Sequence, residues 1–407
     1  MKREIWLDFL RVTACFLVMT VHSTEPFYLG GDGTLVLTSA DAFWVSLFEG
    51  IARCCVPLFV LASGYLQLPL RYPTGEFFRR RAIRIVVPMV IWTLVYALVW
   101  GHPVANIKGL LFNFNYAAGH LWFVYMLLGL YLIMPLLSPW LEKVSRKELG
   151  IYLGIWALTL CIPFVREYAG GMAPMIYAKD GLPAPALFPL WGEASWNPFG
   201  LFYYVSGFVG YLLLGVFVKR FVPAGRLVKA LGWTLFLFGF ILQCFGFLQR
   251  IVASGSFPVE GSVELAVSWE CAIAFCGLPV AMTTLGLVLV FRSSFVPKAL
   301  SPSEASAFFF ASEGESASGT AVSGFYKFII KPLSESGYGM YLIHMLVLGT
   351  VSAWIRGWLG VGADGLLGPV WTTPVEILGT ALISFVIVGL IAVALRRIPK
   401  VGKWIMG

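Results

Sequence analysis

Apolar residues run in long blocks along this chain, and polar residues gather in short clusters between them. The blocks exceed the roughly 18 residues a helix needs to cross a bilayer and lack the alternation over about 10 residues that marks a membrane β-strand. Windows of about 19 residues predict ten helical spans, at 6–26, 42–68, 82–101, 119–140, 148–165, 199–218, 230–249, 263–291, 337–355 and 374–395. The first does not read as a cleavable leader, because Asp8 and Arg11 interrupt it and no small-residue cleavage site follows His22. The pattern therefore predicts an all-α integral membrane protein of about ten transmembrane helices, organised as a single membrane-embedded domain over 1–407.

Composition agrees. The chain is 59% hydrophobic and 12% charged, against roughly 45–50% and about 25% for a soluble domain, so a soluble fold could not hide its apolar surface. Nucleic-acid binding is unsupported. Seven cysteines, an odd number, all fall in apolar runs and imply no disulfide framework.

Charge sets the expected orientation. With the N-terminus placed in the cytoplasm, 22 of the 29 Lys and Arg residues fall in inner segments and five in outer ones, while Arg11 and Arg53 lie within spans. Positive residues collect on the cytoplasmic side, so both termini are expected there. One helix more or fewer would swap the side of every later loop and destroy this bias. The net charge of +8 needs no other cause than a basic inner face against anionic lipid. Two connections stand out: a long outer loop at 166–198, rich in Pro, Gly, Trp and Ala, and a Ser/Ala/Gly-rich inner insertion at 301–323 expected to be flexible.

Ionisable residues inside spans cost about 2.5–3.5 kcal/mol each at the centre, so each needs a partner, a wet cavity or a task. They are Asp8, Arg11, His22, Glu49, Arg53, His120, Glu270 and His344. Arg11 and His22 are separated by three helical turns within about 10°, so they share one face roughly 16 Å apart. His22 reads either as a packed imidazole bonded to a neighbouring helix or as a general base whose tautomer a carboxylate must hold. Glu49 and Glu270 are the candidate orienters, although Glu49 and Arg53 have the i, i+4 spacing of an ion pair. Glu270 has no local partner and is the stronger candidate, and His120 enters from the outer surface.

Arg79, Arg80, Arg81 and Arg84 form the densest basic cluster, just before the third span. At a helix start, Arg81 and Arg84 would suit a phosphate-bearing ligand, and the positive-inside rule produces such clusters without one. No metal is expected: the four histidines sit on separate elements and no C-x-x-C pair occurs. A transporter of a glycan precursor or metabolite carries similar embedded charges and is the competing reading.

Five segments in order resemble the bacterial membrane-bound acyltransferase family 3. LDFLRVTACFLVMTVH, with Arg11 and His22, is similar to its first-helix R-x10-H signature, and VPLFVLASGYL (56–66) to its second helix. RRAIRIVVP (80–88) is similar to its R-x-x-R motif, GHLWFVYMLLGLYLIMPLL (119–137) to its His-Leu-Trp-Phe helix, and SGYGMYLIH (336–344) to its late Tyr-Leu-x-His motif. The resemblance is greatest to the branch containing the O-acetyltransferase of enterobacterial common antigen. It implies a multi-pass enzyme of the bacterial inner membrane that moves an acyl group, usually acetyl from cytoplasmic acetyl-CoA as co-substrate, to a hydroxyl of an extracytoplasmic or lipid-linked glycan. No permanently bound cofactor is implied. It also implies His22 as the catalytic residue, with Glu270 or His120 assisting, and Arg11, Arg81 and Arg84 at the acyl-CoA. The insertion at 301–323 departs from the family pattern, and no appended hydrolase-like domain is seen.

Overall fold

In hydrocarbon a backbone must satisfy its own hydrogen bonds, so each apolar run folds as a helix. A computed structural model describes residues 3–29, 38–101, 118–168, 197, 199–255, 257, 259, 263–295, 324–360 and 372–407. Among these, nine helical stretches are long and apolar enough to span a membrane. The insertion at 301–323 and all but the ends of the loop at 166–198 lie outside the described residues.

The first span is α1 (Ile5–Thr24), closed by a 3-10 turn at Glu25–Phe27. The second, expected to be continuous, breaks into α2 (Ser39–Ala52) and α3 (Cys55–Gln67). Pro57 explains the break: its missing N–H confines it to the first turn of a helix, so α3 restarts just before it. The break leaves Arg53 at the joint. Next come α4 (Thr74–Arg81), a π-helical turn over Ala82–Val86, and α5 (Val87–Val99). The π turn precedes Pro88, which cannot donate to the carbonyl four residues back. The helix thus begins about two turns earlier than the apolar run and carries Arg79, Arg80 and Arg81.

A 3-10 turn at Gly119–Leu121 leads into α6 (Trp122–Lys143), followed by α7 (Arg146–Thr159) and α8 (Ile162–Tyr168). The run at 199–218 is not one helix. A 3-10 segment (Gly200–Val205) turns at Gly207, whose φ of 79° suits glycine, into α9 (Val209–Phe221), only 13 residues long. Then α10 (Arg226–Ala253) spans without interruption. The predicted span at 263–291 is also broken: α11 (Val263–Trp269), a 3-10 turn at Glu270–Ile273, and α12 (Leu278–Phe295). Glu270 therefore sits at a helix break. A second π turn (Tyr326–Ile330), again ahead of a proline, opens α13 (Lys331–Leu359); α14 (Thr372–Arg396) and α15 (Gly402–Met406) complete the chain.

The bundle is built around α1, which packs against α2, α3, α12, α13 and α14. Glycines allow two of the closest helix pairs. A Cβ on Gly64 of α3 would lie 2.2 Å from the Leu212 carbonyl oxygen of α9, and one on Gly286 of α12 would lie 2.6 Å from the Gly232 carbonyl oxygen of α10. Large apolar side chains left exposed, such as Leu231, Phe238, Ile241 and Phe245 along α10, face where lipid would be.

Candidate active site

One face of α1 carries the site. Glu4, Asp8, Arg11, Val18, His22 and Glu25 follow each other at spacings of three or four residues, or seven across the gap, and all line one cavity of about 530 Å³. That volume is in the range of small-molecule sites, about 300–1,000 Å³. The walls opposite come from α3, the α4–α5 π turn, α6 and α13, so a single space joins the two chemistries that α1 separates by roughly 16 Å.

At one end lie Arg3, Arg11, Arg81, Arg84 and Arg396. The carboxylates there are already engaged. Asp8 accepts from Arg3 at 2.6 Å and from Tyr326 and Ser334 at 2.7 Å, and Glu335 accepts from Arg3 at 2.5 Å. Burial works against the Arg3 cation, but hydrogen bonds to Asp8 and Glu335 outweigh it and raise its pKa above the ordinary guanidinium value. Arg11, Arg81 and Arg84 pair with no carboxylate among the described residues. Arg81 instead stacks 5.2 Å over both Phe77 and Tyr131, and its Nε is buried without a hydrogen-bond partner. A polyanion entering this end would meet guanidinium donors that pair with no carboxylate among the described residues.

At the other end His22 Nδ1 lies 2.6 Å from Glu25 Oε2. A carboxylate only accepts, so Nδ1 carries the proton and donates, and Nε2 is the nitrogen left for the cavity. Glu49 and Glu270 do not fill this place. Arg53 donates to Glu49 at 2.7 Å through Nε, and to Glu270 and Tyr28 through Nη2, while Tyr28 Oη lies 3.1 Å from Glu49 and 3.0 Å from Glu270. Thr24 also donates to Glu49. This network, buried except for a part-exposed Glu270, holds the α2–α3 joint against α1 and the α11–α12 break. Glu270 belongs to it and is absent from the cavity wall, whereas Arg53 reaches that wall.

His120 and His344 join His22. The ring centroids of His22 and His344 are 5.0 Å apart, as are those of His344 and His120. His344 Nδ1 bonds its own helix at the Tyr341 carbonyl, 2.5 Å away, and the Nε2 atoms of both His344 and His120 are buried without partners. No group of three or more His, Cys, Asp or Glu among the described residues has metal-binding geometry.

The structure thus brings His22, His120, Arg11, Arg81 and Arg84 to one cavity and leaves Glu270 behind Arg53. Glu25 was missed because it falls at the C-terminal end of the first span, where a carboxylate looks merely solvated. Its i, i+3 spacing from His22, on the stripe that already carries Asp8 and Arg11, was the available signal.

One internal cavity thus holds a carboxylate-held imidazole at one end and, at the other, guanidinium groups that pair with no carboxylate among the described residues. The family model described as "Acyltransferase domain" matches residues 4–393. The chain therefore belongs to acyltransferase family 3 and is a membrane acyltransferase. No curated protein and no solved structure matches it.

Proposed function

We propose that this acyltransferase uses acetyl-CoA as its acyl donor and a hydroxyl of an extracytoplasmic or lipid-linked glycan as acceptor. The observation that carries the proposal is the continuity of one cavity from the Arg11, Arg81 and Arg84 guanidinium groups to the His22–Glu25 pair. CoA is polyanionic and cannot enter lipid, so its phosphates stay at the guanidinium end while the thioester arm extends along α1 towards His22. With Nδ1 held by Glu25, His22 Nε2 removes the proton of the acceptor hydroxyl as that oxygen attacks the thioester carbonyl. The new C–O bond forms, the C–S bond breaks, and the proton passes from Nε2 to the departing thiolate, giving the ester and CoASH. Glu25 stabilises the imidazolium in between. His120, in the same wall, is the group that would steady the oxyanion.

The charge count supports an orientation with both termini in the cytoplasm. The basic residues it assigns to that side include Arg3, Arg81, Arg84 and Arg396, which line the same end of the cavity. This reading puts the donor end inside and His22 near the outer face of the bacterial inner membrane. The resemblance to the enterobacterial common antigen branch makes acetyl the first acyl group, and a glycan the first acceptor, to test.

Titration of the detergent-purified protein with acetyl-CoA tests the donor. Saturable binding is expected, weakened about 30- to 150-fold in Arg81→Ala/Arg84→Ala if each of the two lost charge-assisted contacts is worth roughly 1–1.5 kcal/mol in this partly exposed setting. No binding by the well-folded wild type, with or without candidate glycans, would refute the donor assignment.

A further inference from the structure

Beside the main cavity lies a second, far smaller void of about 10 Å³, walled by Val18 and Met19 of α1, Phe59 of α3, and Met340, Tyr341 and His344 of α13. Val18, Phe59 and Tyr341 line both spaces. The void thus adjoins the cavity at the level of Val18. Val18 is one turn before His22 on the same face of α1, about 6 Å along the axis, and His344, also in the void's wall, is the ring packed against His22. A thioester advancing from the guanidinium end passes this level just before it reaches Nε2.

The size and chemistry of the void select its occupant. About 10 Å³ is the space of one probe sphere, enough for a water molecule or a methyl group and little more. A buried water needs about three hydrogen-bond partners, and the walls do not supply them. Cys15 Sγ, also in the wall, faces the Gly337 carbonyl at 3.8 Å, Tyr341 donates to the His120 carbonyl, and His344 Nδ1 is held by the Tyr341 carbonyl. Only His344 Nε2 is unpaired. Met19 and Met340, each 1% exposed, are the methionines in its wall.

Resting on the acyl-CoA reading above, the geometry points to this void as the pocket for the methyl group of the transferred acyl chain, which restricts the donor to acetyl. A propionyl or butyryl chain would have to displace Met19 or Met340. A succinyl chain would bring a carboxylate against apolar walls with no cation to meet it. One methylene too many in a closed apolar pocket typically costs 10- to 200-fold in selectivity.

Calorimetric affinities of the full chain for CoASH, acetyl-CoA, propionyl-CoA, butyryl-CoA and succinyl-CoA test this without requiring the acceptor. Each acyl-CoA is referred to CoASH in the same protein. Wild type should favour acetyl over butyryl and succinyl by about 10-fold or more. Met340→Ala and, independently, Met19→Ala should bring butyryl to within about threefold of acetyl and leave succinyl disfavoured, because they add space without charge. Val18→Leu should narrow the entrance and remove the advantage of acetyl-CoA over CoASH, which keeps the test open if the enlarged variants fail to fold. CoASH binding with acyl ratios unchanged in all folded variants would overturn the pocket alone. A wild type that binds neither CoASH nor any acyl-CoA would overturn both the pocket and the donor reading beneath it.

Discussion

Glu25→Gln isolates the charge beside the base while keeping its shape. The amide that replaces the carboxylate can still accept from His22 Nδ1 through its carbonyl oxygen, so the tautomer survives, but the imidazolium that forms during transfer loses its counter-charge. The pair sits at 2.6 Å with side chains 16% and 28% exposed, which calls for an intermediate dielectric. At an effective dielectric of about 20, unit charges about 4 Å apart, a fair separation for two delocalised groups, interact by about 4 kcal/mol. With roughly half of the proton transferred in the transition state, the loss is about 2 kcal/mol, or roughly 30-fold in kcat. Glu25→Ala frees the ring as well and should cost more, about 10²- to 10⁴-fold, as removal of an orienting carboxylate does in a catalytic triad. The assay is thiol release from acetyl-CoA in the presence of acceptor, in proteoliposomes, with acetyl-CoA affinity measured alongside. If both variants stay within threefold of wild type while His22→Ala is inactive, Glu25 does not assist His22. If they lose donor affinity instead of turnover, its place is in binding.

Three other outcomes follow from the same geometry. Arg53→Met strips Glu49 and Glu270 of their shared cation and should destabilise the protein by about 3–5 kcal/mol, seen as a lower melting temperature in detergent, with partial recovery when Glu49→Gln is added. Gly64→Val forces side-chain atoms into the Leu212 carbonyl, 2.2 Å from the nearest Cβ position, and should separate α3 from α9; retention of wild-type thermal stability would contradict that packing. His120→Ala should lower kcat by about 10²-fold if its ring supports the oxyanion and leave acetyl-CoA affinity little changed, because His120 lies at the far end of the cavity from Arg81 and Arg84.

Much of the architecture was legible before any coordinates. Hydrocarbon allows a backbone few options, so long apolar runs predict helices and their approximate ends. The shared face of Arg11 and His22 followed from helical periodicity alone, and both residues do line one wall. The breaks at Arg53–Cys54, Ser206–Gly207 and Glu270–Ala274 were not read, because an apolar run looks the same whether straight or broken. Their signals were single residues, Pro57, Gly207 and Gly277 with Pro279, inside otherwise hydrophobic text.

What the sequence determined by itself is whatever depends on one helix and its solvent: the membrane class, the count of about ten spans, the stripe on α1 and the basic cluster at the start of the third span. Tertiary structure decided which groups meet. Glu49 and Glu270 were the candidate carboxylates, and only packing could assign Glu25 to His22 and give Glu49 and Glu270 to Arg53. The same is true of the contact between His22, His344 and His120, which come from three elements distant in sequence. Periodicity fixes the direction in which a side chain leaves its own helix. It carries no information about which neighbouring helix stands opposite, since that depends on how the glycine-lined and apolar faces of the whole bundle fit together.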